Sequence, residues 1–258
     1  MKKLKNIKLT IAYDGTRFYG WQKQKNIRTV QGTLEKTIQK ITRENEIKIN
    51  GSGRTDAGVH AIGQVANFLT HNSMPVDRWK RVLNHHLPND VTIKNAKALH
   101  QEFHARYSAK SKIYCYCIWN GVDNKKKFNA KQLFYRNYYY FYNRTLDIKK
   151  MQKAAKILTG KHDFSALSCV NKKAKNKSKI RILHRLEITR KDTKVFFILE
   201  ANSFLYKMVR IIIGTLIDYS NYEGNDMNKI EKLLKQKDNH DAGQVIPACG
   251  LYLIKVKY

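Results

Sequence analysis

The N-terminal part of the chain alternates between segments with the period of a β-strand and segments with the period of a helix. Apolar residues occupy every second position at the start, which predicts a strand with one buried face, at Ile7, Leu9, Ile11 and Tyr13. After Thr29, a candidate N-cap, apolar residues return at helical spacing, at Val30, Leu34, Ile38 and Ile41. The same patterns predict further elements: a strand at Ile47 and Ile49, a strand over residues 61–70, a helix over 76–87 that stops before Pro88, and an extended segment over 90–99.

The C-terminal part repeats this order of elements less regularly. The patterns predict an aromatic strand over residues 111–119, an amphipathic helix over 146–160 closed by Gly160, a strand pair over 185–190 and 194–202, a long apolar helix over 203–220, and a final strand over 250–258. Two β-α-β-β-α-β units in succession predict an α+β fold made of two ferredoxin-like halves with antiparallel sheets. We place the halves at residues 1–105 and 106–258.

Charge is the dominant feature of the composition. The 258 residues include 50 Lys and Arg against 20 Asp and Glu, a formal net charge of +30 with a pI near 10.0. A field of this sign attracts polyanions, and nucleic acid is the first candidate. The alternative is a compositional bias, because Lys, Asn and Ile are all abundant, so the charge indicates a partner without identifying it.

Other features of the sequence narrow the class of protein. No segment approaches the roughly 18 apolar residues of a membrane span, and the basic N-terminus lacks the apolar region and cleavage site of a signal peptide. The cysteines show no zinc-site spacing and are interpreted as reduced thiols, at Cys115, Cys117, Cys169 and Cys249. We therefore expect a cytoplasmic protein with no membrane partner.

Two basic stretches interrupt the pattern of strands and helices. Residues 124–144 combine Lys and Arg with many Tyr and Phe, and residues 171–185 carry Lys and Arg without an acid. Cations that neutralise phosphates and rings that stack on bases suit single-stranded or loop RNA. The alternatives are a solvated loop for the second stretch and core packing for many tyrosines of the first. Whether residues 172–179 contact RNA stays open.

The string GSGRTDAGVH, residues 51–60, contains the strongest candidate for chemistry. Asp56 has a cation two residues away at Arg54, which favours the ionised carboxylate. Gly53 and Gly58 would let a substrate approach the backbone closely. On these local features alone, a turn residue is the favoured interpretation of Asp56, and a catalytic carboxylate is the alternative.

The longer string over residues 51–68 resembles the signature of the tRNA pseudouridine synthase A (TruA-type) family. Further segments similar to that family occur in its order along nearly the whole chain, at residues 13–24, 29–36, 83–91, 103–116, 160–166, 208–210 and 250–253. The resemblance implies isomerisation of uridine to pseudouridine at positions 38, 39 and 40 in the anticodon stem-loop of tRNA. It further implies a homodimer that needs no cofactor and no metal, and the sequence contains no Walker A string or dinucleotide fingerprint.

The resemblance also implies a role for each site residue. Asp56 is the catalytic carboxylate, acting either as a nucleophile on C1′ or as a base on the ribose 2′ proton. Arg54 holds the flipped nucleotide or fills its place, with a salt bridge or a phosphate contact as the alternative. Tyr114 packs on the uracil and assists proton removal at C5; Tyr116 shares its strand face, so only the motif selects Tyr114. Leu251 lines the uracil pocket.

Arg210 can be argued from the sequence itself. It lies in the predicted apolar helix over residues 203–220, where a guanidinium is costly unless an anion meets it. The family match names Asp56 as that anion, which would place the site in a central cleft between the two halves; the alternative is a side chain that reaches the surface. The chain departs from the family nearby, where two common histidines and an asparagine are replaced by Tyr206, Lys207 and Ile211.

Three other functions remain open on the sequence. They are a non-catalytic tRNA-binding protein on the same fold, a synthase that modifies another RNA or other tRNA positions, and an N-glycosidase that releases uracil. A metal enzyme is disfavoured, because the histidines are interpreted as structural or RNA-contacting, at His60, His85, His86 and His104.

Overall fold

The structure, a computed structural model, describes residues 4–121, 130–169, 178–222 and 228–258. The chain forms two compact units, the first comprising Met1–Lys110 with Tyr252–Tyr258 and the second Ser111–Leu251. This division differs from the one placed at residues 105 and 106, because the C-terminal strand belongs to the first unit. Tyr252 pairs with His60 there, and Lys110 donates its N–H to the carbonyl of Lys257 at 2.8 Å.

The first unit is a mainly antiparallel sheet with two helices among its described residues. Its elements are β1 Lys5–Tyr13, α1 Val30–Thr42, β2 Asn50–Gly51, β3 His60–Thr70, α2 Val76–His86 and β4 Val91–Leu99, joined by the last strand, β10 Leu251–Lys257. Strand β1 is central, since Leu9 faces Ala66 of β3 on one side and Ala96 of β4 on the other. Strand β10 runs parallel to β3.

The predicted helix after Thr29 is confirmed, together with its cap. The Thr29 hydroxyl accepts a hydrogen bond from the N–H of Gly32 at 3.3 Å, which satisfies one of the first free donors of α1. The apolar face of α1 is fully buried at Val30, Leu34 and Ile38. Ile7, Leu9 and Ile11 of β1 likewise have no exposed surface, as their alternating pattern predicts.

The predicted strand at Ile47 and Ile49 is wrong, although both side chains are buried. The backbone of Ile49 is bonded to side chains of α1 instead of to a neighbouring strand. Its N–H donates to the Glu35 carboxylate at 3.1 Å, and its carbonyl accepts from the Gln31 amide at 3.2 Å. Strand pairing with β3 begins only at Asn50.

The second unit contains the remaining described elements. They are β5 Ser111–Trp119, α3 Ala130–Tyr135, β6 Tyr140–Phe141, α4 Ile148–Leu158, β7 Gly160–Asp163, β8 Ile180–Lys191, β9 Lys194–Ala201, α5 Met208–Asn221 and α6 Asn228–Lys235. The sheet order is β5-β9-β8-β7 with antiparallel neighbours, and β6 adds a short parallel pairing to β5. Mostly antiparallel strands with helices confirm the predicted α+β class. Gly160 follows α4 at φ +121°, which fits its predicted role in ending that helix.

The predicted long helix over residues 203–220 begins five residues late. Lys207 has φ +60°, a left-handed conformation that no helix interior contains, and α5 starts directly after it at Met208. Arg210 therefore lies in the first turn of a helix and is half-buried. The argument that placed its guanidinium at the centre of an apolar helix is wrong in this respect.

Within the ranges that the structure describes, no helix is both long enough and apolar enough to cross a membrane.

Candidate active site

The loop over residues 51–60 is held on one side by β3. Ser52, which is fully buried, donates its N–H to the carbonyl of Val65 at 2.7 Å and shares a 2.7 Å hydrogen bond with the Gln64 side-chain oxygen. The Gln64 amide group donates to the carbonyl of Gly53 at 3.0 Å. Because Gln64 is itself fully buried, both ends of its side chain are committed to the start of the loop.

On its other side the loop contacts the backbone of residues 14–21, here called the DGTRFYGW segment. Gly20 has φ +83°, and a Cβ there would lie 2.5 Å from the carbonyl oxygen of Thr55. A Cβ on Gly15 would lie 2.1 Å from the carbonyl oxygen of Val59. Trp21 donates its N–H to Thr55 at 3.0 Å. The two main chains are thus in direct contact, which leaves no room for a side chain at either glycine.

A pair of hydroxyl groups fixes the residue that precedes Asp56. The Tyr13 hydroxyl and the Thr55 hydroxyl lie 2.8 Å apart and are both buried. Burial raises the pKa of Tyr13 to about 12, against smaller opposite effects of its hydrogen bonds with Thr55 and Gln64. The Tyr13 phenol therefore stays neutral at ordinary pH and can hold Thr55 as a constant hydrogen-bond partner.

Asp56 opens a tight turn at the tip of the loop. Its carbonyl accepts from the N–H of Val59 at 3.2 Å, and Gly58, the third residue of that turn, has φ +76°. A positive φ at this position is the requirement of a type II turn, which glycine meets without strain. Asp56 is half-buried and Arg54 is exposed. The local interpretation as a turn residue is therefore compatible with a functional carboxylate, since the main chain makes the turn and the side chain stays accessible.

His60 ends the loop and has a structural position. It is buried, its Nδ1 accepts from the N–H of Gly15 at 3.0 Å, and Asp14 Oδ1 lies 3.2 Å from the same nitrogen. Its ring stacks on Tyr252 with centroids 4.8 Å apart. Of the two roles that the sequence left open for His60, structural or RNA-contacting, these contacts favour the structural one. Among the described residues, no group of three or more His, Cys, Asp or Glu side chains is arranged to hold a metal ion.

Tyr114 and Tyr116 share one face of β5, as their spacing predicts, but have different surroundings. Tyr114 is buried and meets the ring of Phe204 edge to face, with centroids 5.0 Å apart. Tyr116 is fully buried and donates its hydroxyl to the carbonyl of Pro247 at 2.7 Å. Burial raises the pKa of Tyr116, and the charge of Arg210 opposes that rise only in part. The Tyr116 hydroxyl is therefore a structural donor.

Arg210 and Tyr116 hold two adjacent carbonyls of one segment. The Nε of Arg210 donates to the carbonyl of Ile246 at 2.6 Å, and the next carbonyl along the chain, that of Pro247, accepts from the Tyr116 hydroxyl. This segment leads through the turn Ala248–Gly250 to Leu251, which is buried at the start of β10. A Cβ on Gly250 would lie 2.9 Å from the ring of Tyr116. Within the second unit, Arg210 and the approach to Leu251 thus belong to one packed cluster.

The positions that depart from the family pattern also have clear surroundings. Ile211 is buried, Lys207 has the left-handed backbone before α5, and Tyr206 is exposed with the Lys207 ammonium 5.1 Å from its ring centroid. Of the Lys-rich residues 172–179, those up to 177 lie outside the described residues.

Sequence reasoning assigned no role to Tyr116 or to the glycines of the DGTRFYGW segment. The signal for the glycines was present, because Gly15 and Gly20 both lie within one family-like segment, residues 13–24. The sequence does not show why glycine is needed at these two positions, because each one contacts a loop that lies far along the chain.

Comparison with known proteins gives consistent matches over the whole chain. The family model described as tRNA pseudouridine synthase matches residues 9–108 and 154–258. Proteins named tRNA pseudouridine synthase A from Acetivibrio thermocellus and Caldicellulosiruptor bescii are 41% and 42% identical over 255 residues, covering 99% of this chain and 100% of each relative. A solved archaeal box H/ACA sRNP Nop10-Cbf5 complex has a TM-score of 0.36 and 13% identity over 82% of this chain and 43% of the other, too low to support an argument.

Proposed function

The chain belongs to the tRNA pseudouridine synthase family, a family of isomerases, and from that membership we propose that it converts uridine to pseudouridine at positions 38, 39 and 40 in the anticodon stem-loop of tRNA. The observation that carries the proposal is identity above 40% along 99% of the chain to proteins named tRNA pseudouridine synthase A. We further propose that the protein acts as a cytoplasmic homodimer.

The proposed reaction needs a carboxylate and no redox step. The C1′–N1 bond of uridine breaks, the uracil turns, and a C1′–C5 bond forms; C5 loses a proton and N1 gains one. Breaking a glycosidic bond builds positive character on the sugar, which an adjacent anion stabilises. Asp56 supplies that anion, either by bonding to C1′ or by removing the 2′ proton. The fixed backbone on both sides of Asp56 supports this role, because a carboxylate acts efficiently only when it is held in place.

Arg54 and Tyr114 contribute to handling the flipped base in this proposal. Taking a base out of its stack costs a few kcal/mol, and a side chain that fills the gap or contacts the extruded nucleotide offsets that cost. Arg54 is exposed two residues from Asp56, so its guanidinium can reach a nucleotide that approaches the loop. Tyr114 packs on the uracil, and Leu251 provides an apolar contact for the ring.

The charge of the chain supports tRNA as the partner. A net charge of +30 favours a large polyanion, and recognition through phosphates and RNA shape would let neighbouring uridines in different sequences be reached.

One assay tests the proposed function against its alternatives. The protein is incubated with unmodified tRNA, and pseudouridine is mapped along the product. We expect pseudouridine at positions 38–40. Binding without any product would identify a non-catalytic RNA-binding protein, product at other positions or only in another RNA would identify a different target, and free uracil would identify a glycosidase.

The two tyrosines of β5 should respond differently to loss of the hydroxyl. We expect Tyr114→Phe to lower the single-turnover rate about 100-fold, the size typical of an acid–base group. We expect Tyr116→Phe to lower the free energy of unfolding by about 1 kcal/mol, because the hydrogen bond from the buried Tyr116 hydroxyl to the carbonyl of Pro247 is lost. Single-turnover kinetics and denaturant unfolding measure the two effects. A larger rate loss in Tyr116→Phe would reverse the assignment.

Arg210→Ala and Arg210→Lys should both lower activity. The Nε of Arg210 is committed to Ile246, so only the guanidinium end remains to meet an anion, which the sequence predicts to be Asp56. A lysine ammonium cannot bond to the Ile246 carbonyl and to the anion at the same time with the geometry of a guanidinium. We expect at least a tenfold lower single-turnover rate in each variant. Arg190→Ala is the matched control, because Arg190 also bonds within the second unit, to Asn120 at 2.7 Å. Full activity of Arg210→Ala would remove Arg210 from the site.

A further inference from the structure

We propose that an exposed aromatic surface of the second unit binds unpaired nucleobases of the RNA substrate, an inference that rests on the proposed function. The surface, called the Trp119 face below, consists of Trp119, Tyr135, Tyr139 and Lys194, together with Phe134, the exposed residue that precedes Tyr135 in α3. None of these residues belongs to the proposed catalytic machinery.

The Trp119 face is built around the end of one strand pair. Trp119 and Lys194 are opposite each other where β5 ends and β9 begins. The rings of Tyr135 and Tyr139 lie 5.6 and 5.5 Å from the Trp119 ring, and the Lys194 ammonium lies 5.0 Å from the same ring. Phe141 is parallel to Trp119 at 5.4 Å. The cluster therefore has ordered rings with a cation among them.

The aromatic side chains of α3 are unusually exposed to solvent for apolar groups. All residues over 133–138 are exposed, and the exposed fractions of Phe134 and Tyr135 reach 72% and 46%. Neighbouring apolar groups of this size on a surface mark a binding site, because leaving them in water is unfavourable.

The charge of this part of the chain favours RNA as the occupant. Residues 130–146 contain seven aromatic residues and three Lys or Arg but no Asp or Glu, and Arg136 and Arg144 are exposed. Rings that stack on bases beside cations that contact phosphates are the usual combination for single-stranded nucleic acid. A second copy of the chain is the other candidate occupant, and the sedimentation measurement below distinguishes it from RNA.

The aromatic segment of the face lies between the two ranges that the family model matches. The family model matches residues 9–108 and 154–258, so the segment that carries Phe134, Tyr135 and Tyr139 lies outside both ranges. The variants below therefore probe residues that the family model does not cover.

Two exposed side chains allow the proposal to be tested without disturbing the core. We expect Phe134→Ala and Tyr135→Ala each to weaken binding of unmodified tRNA about tenfold at fixed salt, the effect of losing one stacked base. Binding of a short oligouridylate should weaken by the same factor, because stacking needs no folded tRNA. Tyr222→Ala is the matched control, since Tyr222 is 43% exposed and has the Lys229 ammonium over its ring, and it should bind both RNAs like the wild type.

Intrinsic fluorescence gives a second, independent measurement. Trp21 and Trp79 are buried, whereas Trp119 is partly accessible, so oligouridylate should quench the emission of Trp119. Unchanged affinity in both variants, or equal loss in Tyr222→Ala, would overturn the proposal. A smaller species in sedimentation with either variant would also overturn it, by identifying the face as a contact between copies. The single-turnover rate of both variants at saturating enzyme should equal that of the wild type. If the wild type binds RNA through this face but forms no pseudouridine, the proposed function is refuted and the proposed RNA contact is not.

Discussion

Replacing Asp56 by alanine is expected to abolish pseudouridine formation while tRNA binding persists. Asp56 lies at the tip of a loop whose neighbouring residues are bonded to β3, to Tyr13 and to the DGTRFYGW segment. The variant keeps those contacts, because none of them uses the Asp56 side chain. Removal of a group that acts directly on the reacting atoms typically lowers the rate by about 10⁴-fold or more.

The change of charge alone is tested by Asp56→Asn, which keeps the shape of the side chain. We expect it to be as inactive as the alanine variant in single-turnover assays, with a tRNA dissociation constant close to that of the wild type. Asp77→Asn is the control, because Asp77 is an exposed acid in the first turn of α2, and it should leave both quantities unchanged. Wild-type turnover by Asp56→Asn, with mass spectrometry confirming that the amide is intact, would show that the carboxylate is not required.

The period of the apolar residues correctly predicted the elements that have one regular apolar face. Strand β1 and helix α1 are examples, since the apolar positions of each are the buried ones and Thr29 caps the helix locally. The segment at Ile47 and Ile49 has the pattern of a strand but not the pairing, because Glu35 and Gln31 bond to its backbone. A pattern of buried residues reports which side chains point inward and leaves open what the backbone binds.

The start of α5 is a second case in which the apolar pattern does not determine the backbone conformation. Apolar residues lie on both sides of Lys207 within residues 203–220, so the pattern does not mark Lys207 as a left-handed residue. The boundary decides where Arg210 lies, and that position changes the physical argument for it. At the first turn of a helix a half-buried guanidinium can bond to Ile246 and still meet a further partner.

The candidate site was predicted through similarity and explained through structure. Local features left Asp56 as a turn residue, and the motif made it a catalytic candidate. The structure supplies the physical link between these interpretations, since Gly58 at φ +76° makes the turn. The supporting role of the DGTRFYGW segment lay beyond sequence reasoning, because it depends on a main-chain contact between distant parts of the chain.

Replacing Gly20 by alanine is expected to lower both the stability of the protein and its activity. The added Cβ would lie 2.5 Å from the carbonyl oxygen of Thr55, one residue before Asp56, and the backbone at φ +83° would be strained. The strain alone costs about 1–3 kcal/mol. The contact must be relieved by moving one main chain, and a displacement of about 1 Å at a catalytic group can cost about 100-fold in rate. We expect both a lower free energy of unfolding and a single-turnover rate at least 100-fold lower.

Two further glycines separate the strain from the displacement. At Gly15 a Cβ would lie 2.1 Å from the carbonyl of Val59 at an ordinary φ, so Gly15→Ala tests the loop contact alone. At Gly160 φ is +121° and a Cβ would meet only the flexible side chain of His162, so Gly160→Ala tests backbone strain alone. If loop position controls the rate, Gly20→Ala and Gly15→Ala should both lose activity, and Gly160→Ala should lose stability but keep its rate. A Gly20→Ala enzyme that is less stable yet fully active at saturating tRNA would show that the DGTRFYGW segment supports the fold without positioning Asp56.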